Sequence, residues 1–201
     1  MNSREDKNSS EAEAGDDADL ALLARIANGD RSAFEVLYAS YYHPLLRFIY
    51  RLTGDLDGAQ EGINDTLLVV WQKAATFGNR SRVSTWIFGI AYRKALKQLQ
   101  KSRRWWSRFK SAEWSEMIEP GDTAPGHTEV TETQDLLDRA LRVLPPRQRA
   151  VVELTYYYGY SYEEIATIVE CPVNTVKTRM FHARARLRDV LPPIEKDGRE
   201  S

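Results

Sequence analysis

The sequence predicts an all-α protein made of two small helical domains, an N-terminal helical bundle and a C-terminal four-helix domain with a helix-turn-helix, joined by an acidic linker. Three observations predict it. Apolar residues recur at helical spacing from Asp19 to Arg104 and again from Glu132 to Leu191. Between them, Trp105 to Val130 contains Pro120, Gly121, Pro125 and Gly126 with no sustained period, which reads as a linker. The last helices end in a pattern of cap, turn and basic helix. The expected boundaries are a disordered acidic tail at 1–15, a first domain at 16–104, a linker at 105–130, a second domain at 131–191 and a tail at 192–201.

Residues 1–15 are polar, acidic and poor in aromatics, which predicts disorder. From Asp19 a helix places Leu20, Leu23, Ala24 and Ala27 on one face, and Asn28-Gly29-Asp30 ends it. A longer helix from Ala33 to Leu52 carries Phe34, Leu37, Tyr38, Tyr41, Leu45, Phe48, Ile49 and Leu52, and Pro44 is expected to kink or divide it. A third, from Asp57 to Thr76, buries Ala59, Ile63, Leu67, Val70, Trp71 and Ala74 and leaves Glu61, Asn64 and Asp65 on its other face. A fourth runs from Thr85 to Arg104, with Trp86, Ile87, Ile90, Ala91 and Leu99 on one side and basic groups on the other. In the second domain, helices are expected over Glu132–Val143 and Arg147–Tyr158, around the turn Leu144-Pro145-Pro146.

Ser161 and Glu164 have the spacing of a capping box, and Tyr160 and Ile165 that of a hydrophobic staple. The helix they start must stop near Glu170, because Pro172 disfavours helical geometry in the residue before it. Pro172 itself suits a new helix start, where its missing N–H costs nothing. Val176, Met180, Ala183 and Leu187 then form one packing seam, leaving Thr175, Lys177, Thr178, Arg179, His182 and Arg184 outward. A short helix, a tight turn and a second helix with hydroxyl and cationic groups have the chemistry for phosphates and base edges in a major groove.

Net charge is −1, yet like charges are sorted into blocks. Asn79 to Lys110 holds ten Lys or Arg and no acidic residue, whereas Ser111 to Asp138 holds eight acidic residues and no Lys or Arg. The local field, rather than the sum, decides partners. The single cysteine, Cys171, excludes an internal disulfide, and with only His43, His127 and His182 beside it there is no zinc pattern. No apolar run approaches the ~20 residues of a membrane span, and the N-terminus lacks a signal-peptide core, so the expectation is a cytoplasmic protein without membrane insertion.

With these pieces in order, the chain resembles a bacterial RNA polymerase sigma factor of the extracytoplasmic-function group. The stretches LLARIANGDRSAFEVLYASYYHPLLRFIYRLTGD, STWIFGIAYRKALKQLQKSRR and LPPRQRAVVELTYYYGYSYEEIATIVECPVNTVKTRMFHARARLR carry the resemblance. It implies that residues 16–104 correspond to region 2 and residues 131–191 to region 4. Region 4 of such proteins reads the −35 promoter element, which points to Tyr162, Thr175, Lys177, Thr178, Arg179, Phe181, His182 and Arg184, with core packing the alternative for Phe181. Region 2 recognises and melts the −10 element. Aromatic faces and cations suit that work, and the matching residues are Arg80, Arg82, Trp86, Phe88, Tyr92, Arg93, Lys94 and Lys97. Trp86 and Phe88 also sit at core spacing.

Glu61, Asn64, Asp65 and Trp71 match the family's grip on core RNA polymerase. The implied partners are that enzyme, through its β′ coiled coil and β flap, promoter DNA, and an anti-sigma factor that covers both domains and can hold the chain at the membrane. No cofactor or metal is implied, and no catalysis by the chain itself. Gly62 stands where an apolar residue is usual, and Arg93 and Lys97 where many members carry an asparagine and an aspartate. Two other readings compete: a conventional helix-turn-helix regulator with an N-terminal sensor domain, and a metal-dependent nuclease using Asp55, Asp57, Glu61 and Asp65.

Overall fold

A computed structural model describes residues 3–109 and 139–191, and all regular structure among the described residues is helical. The elements are α1 (Ser3–Ala27), α2 (Arg31–Thr53), α3 (Leu56–Lys73), a 3₁₀ turn (Ala74–Thr76), α4 (Val83–Phe109), α5 (described over 139–142), α6 (Pro146–Tyr156), α7 (Tyr162–Ile168) and α8 (Val173–Val190). They form two compact units, the first built on α1 to α4 and taking in residues 167–170, the second on the remaining helices described from residue 139 onward.

In the first unit α2, α3 and α4 pack mutually, with α1 lying against α2, α4 and the 3₁₀ turn. Asp30 starts α2, its Oδ1 accepting the Ala33 N–H at 3.2 Å. Gly54 ends the helix in a left-handed conformation, φ 72°, that glycine adopts without a side-chain penalty. Asp55 then caps α3 by accepting the Gly58 N–H at 3.0 Å. The core is formed by Leu37, Leu45, Phe48, Ile49, Leu52, Ile63, Leu67, Ile87 and Ala91.

Three expectations need correction here. Helix α1 begins at Ser3 and not at Asp19, so residues 3–15 are helical and not an irregular tail. Its Glu-Ala-Glu-Ala stretch is made of good helix formers, which outweigh Gly15. Helix α2 is not divided at Pro44 but runs through it. The proline removes one backbone donor, and the Ser40 carbonyl left without it belongs to an exposed residue that water can reach. Helix α4 continues past Arg104 to Phe109, taking up the first residues assigned to the linker, Trp105 and Trp106 among them. The rest of that linker, the helix start at Glu132 and the tail at 192–201 lie outside the described residues.

In the second unit, Arg149 holds the first turn together. Its Nε donates to the Leu141 carbonyl at 2.8 Å, and its Nη2 donates to the Arg142 and Leu144 carbonyls at 2.6 and 3.0 Å. These include the last carbonyls of α5, which have no partner inside their own helix. Pro146 sits at the first position of α6, where a proline is tolerated. Helices α6 and α8 pack on each other.

The capping box forms as expected. The Ser161 N–H donates to Glu164 Oε2 at 2.9 Å, and the Glu164 N–H donates to Ser161 Oγ at 3.2 Å. Tyr160 and Ile165 of the staple are both buried. Helix α7 closes with Glu170 in the left-handed region, φ 50°, and the Cys171 N–H donating to the Ala166 carbonyl at 3.1 Å. That is a 6→1 helix stop built without glycine.

Candidate nucleic-acid interface

Helix α8 turns one apolar seam inward: Val176, Met180 and Ala183 are buried, while Leu187 is half-buried. The opposite side shows Lys177, Thr178, Phe181, His182 and Arg184, all exposed, with Thr175 and Arg179 half-buried at its margin. Phe181 is 70% exposed and its ring meets His182 edge-on at 5.5 Å, so it belongs to the outward face and not to the core. Thr178 Oγ1 donates to the Asn174 carbonyl at 2.9 Å, which leaves its lone pairs facing out. Arg179 carries a buried Nη1 that finds no acceptor among the described residues. Tyr162, at the start of α7, is half-buried.

Arg184 is aimed by a residue that sequence reasoning missed. Its Nη2 donates to the Tyr156 hydroxyl at 2.8 Å, and that hydrogen bond holds the guanidinium pKa above its ordinary value. Tyr156 is 28 positions away at the end of α6 and 60% exposed, so no local spacing announces the pair.

In the first unit, Arg80 is exposed and Arg82 half-buried in the loop between the 3₁₀ turn and α4. Trp86 packs against Phe77 across that loop, with ring centroids 5.0 Å apart. Arg93 and Lys97 are exposed one turn apart on α4, and Lys101, absent from the expected set, extends the row by another turn. Phe88 and Tyr92 leave the set. Phe88 is 3% exposed and packs edge-on against Phe48 at 5.2 Å, and Tyr92 is 4% exposed. Their spacing from Ile87 and Ala91 turns them inward, and a buried ring has no face to offer a base.

Lys94 donates to Asp65 at 2.8 Å, so one residue of the expected DNA face neutralises one of the expected polymerase face. Glu61 and Asn64 remain exposed, Asn64 accepting from the Tyr38 hydroxyl at 3.2 Å. Trp71 is half-buried, edge-on to Phe34 at 5.2 Å. Between them Leu68 is 52% exposed. An apolar residue four positions after Asn64 and three before Trp71 is the signal that could have found it. Of the four carboxylates considered for a nuclease, Asp55 caps α3 and Asp65 binds Lys94. No group of three or more metal-ligating side chains occurs among the described residues.

The model of sigma-70 region 2 matches residues 37–105, and that of sigma-70, region 4 matches residues 134–187. The RNA polymerase sigma-H factor of Pseudomonas aeruginosa is 31% identical over 188 residues, covering 90% of this chain and 97% of that protein. The ECF RNA polymerase sigma factor RpoE of Cereibacter sphaeroides is 31% identical over 174 residues, 84% of this chain and 92% of its own. Among solved structures, the sigma factor RpoE of Bartonella quintana, in complex with the anti-sigma factor NepR, superimposes with a TM-score of 0.60 at 27% identity, over 78% of this chain and 95% of that one. CnrH, in complex with the cytosolic domain of CnrY, shares the fold with a TM-score of 0.62 at 23% identity, over 86% and 96%. The chain therefore belongs to the extracytoplasmic-function RNA polymerase sigma factors, the initiation subunits that bind core RNA polymerase and direct it to promoters.

Proposed function

We propose that the two units divide promoter recognition between them. The second unit, residues 131–191, reads the −35 element through the outward side of α8, with Lys177, Thr178, Phe181, His182 and Arg184 in the groove and Thr175, Arg179 and Tyr162 at its edge. The first unit, residues 16–104, opens the −10 element. Arg93 and Lys97 hold phosphates there and Lys101 extends their row, while the loop with Arg80 and Arg82, lined by Trp86, reads the element. Glu61, Asn64 and Leu68, backed by Trp71, face the β′ coiled coil of the core enzyme, and the second unit meets the β flap. The chain carries out no bond chemistry of its own and acts in the cytoplasm. By analogy with the solved complexes, an anti-sigma factor holds it inactive between signals.

The observation that carries this reading is the α8 face, where exposed cations, a hydroxyl and an exposed aromatic ring share one side of a helix that follows a capped helix and a tight turn. The test is promoter competition with reconstituted holoenzyme. Thr178→Ala and Phe181→Ala are exposed changes, so both variants are expected to keep the wild-type melting temperature. Each is expected to lose about 1–3 kcal/mol of discrimination between cognate and −35-substituted promoters. Unchanged −35 discrimination in both variants removes α8 from the groove.

A further inference from the structure

We propose that Asp16 of α1 is a positioning residue for the −10 loop, holding the first turn of α4 and so fixing where Arg80 and Arg82 stand. The inference rests on the reading of that loop given above. A helix start leaves its first N–H groups without partners, and the residue just before the helix ordinarily supplies the acceptor. Here that residue is Arg82, whose side chain has only donors. Ser81, one position earlier, directs its hydroxyl to the Arg82 carbonyl at 3.3 Å and not to the helix. The acceptor comes instead from 67 positions away: the Val83 N–H donates to Asp16 Oδ1 at 2.8 Å. The carboxylate also lies at the positive end of the α4 dipole.

Asp16 is itself well anchored. Asp19, one turn along α1, accepts the Tyr41 hydroxyl of α2, and Leu23 and Ile26 bury the rest of the helix face. One side of α1 thus grips α2 through Asp19 and α4 through Asp16. The loop from 77 to 82 is then held at two points, by Asp16 at the Val83 N–H and by the Phe77–Trp86 ring contact. Two arginines on a loop held in this way present their charges in one place.

The experiment uses the full chain with core polymerase and a promoter fragment taken from the strongest start mapped with the wild-type holoenzyme. Open-complex formation is read on that fragment and on versions substituted in the −10 or the −35 element. Asp16→Ala is expected to lower −10 discrimination about fivefold, the loss of one cap, while −35 discrimination stays at the wild-type value. Asp16→Asn, which keeps an acceptor oxygen, is expected to restore most of it. If Arg82→Ala lowers −10 discrimination and Asp16→Ala does not, the positioning role is overturned and the loop's role stands. If neither moves it, the loop is not the reader and both readings fall. Equal losses at −10 and −35 mark a general loss of structure and overturn the proposal as well.

Discussion

Arg149 shows how much one buried cation does in a small helical unit. Three backbone carbonyls converge on its guanidinium, and burial pushes its pKa down while the nearby Glu153 pushes it up. Arg149→Met keeps the stem but takes the guanidinium from those carbonyls, of which Leu141 alone also accepts a backbone N–H, from Leu144 at 3.1 Å, and leaves Glu153, fully buried, without its cation. The expected loss is about 3–5 kcal/mol, read as a lower unfolding midpoint. A variant as stable as the wild type rules out this role. Asp30 makes a different prediction. The Ser32 hydroxyl, the Ala33 N–H and Arg25 hold its carboxyl at about 2, below its ordinary 3.8. A depressed acid contributes stability above the unfolded value and loses it as pH falls through the folded one. Melting temperature measured across that acid window is expected to fall less steeply in Asp30→Asn than in the wild type; identical slopes exclude Asp30 as a contributor.

Helix contacts depend on Gly62 as much as on the large residues. A Cβ there would lie 3.3 Å from Ile49 Cδ1 and 3.5 Å from Gln98 Nε2, so α3 approaches both neighbours at this point. Gln98 Nε2 also donates to the Gly58 carbonyl at 2.6 Å, which ties α4 to the first turns of α3. Gly62→Leu, which supplies the apolar residue usual in the family, is therefore expected to destabilise by about 1–3 kcal/mol through overpacking. A neutral result in chemical denaturation refutes the close approach. This contact was not legible in the sequence, where Gly62 reads only as a weak point in a helix. The Ser161–Glu164 box and the Val176–Met180–Ala183 seam were legible, because caps and seams are local and periodic. Long-range bonds such as Asp16 to Val83, Arg184 to Tyr156 and Lys94 to Asp65 leave no such trace. Phe88 and Tyr92 were misassigned because an aromatic ring beside a core position has the same spacing whether it turns inward or outward.

Across the whole chain, the sorting of charge explains how a protein of net charge −1 binds DNA. Cations are concentrated in α4, its preceding loop and α8, and the acidic residues of 111–138 balance the total from a separate stretch of the sequence. The all-α class and the helix order were legible from periodicity and from Gly and Pro punctuation. The extent of α1 and α4 was not, since the acidic composition of the first residues hides a run of good helix formers and no glycine or proline after Arg104 marks where α4 ends. The measurement that tests the central claim most directly is transcription by purified core RNA polymerase, with and without this chain, on genomic fragments, followed by mapping of transcript 5′ ends. The account predicts discrete new starts that appear only with the chain and share paired upstream elements at fixed spacing. A set of starts identical to that of core enzyme alone, at saturating amounts of the chain, would contradict it.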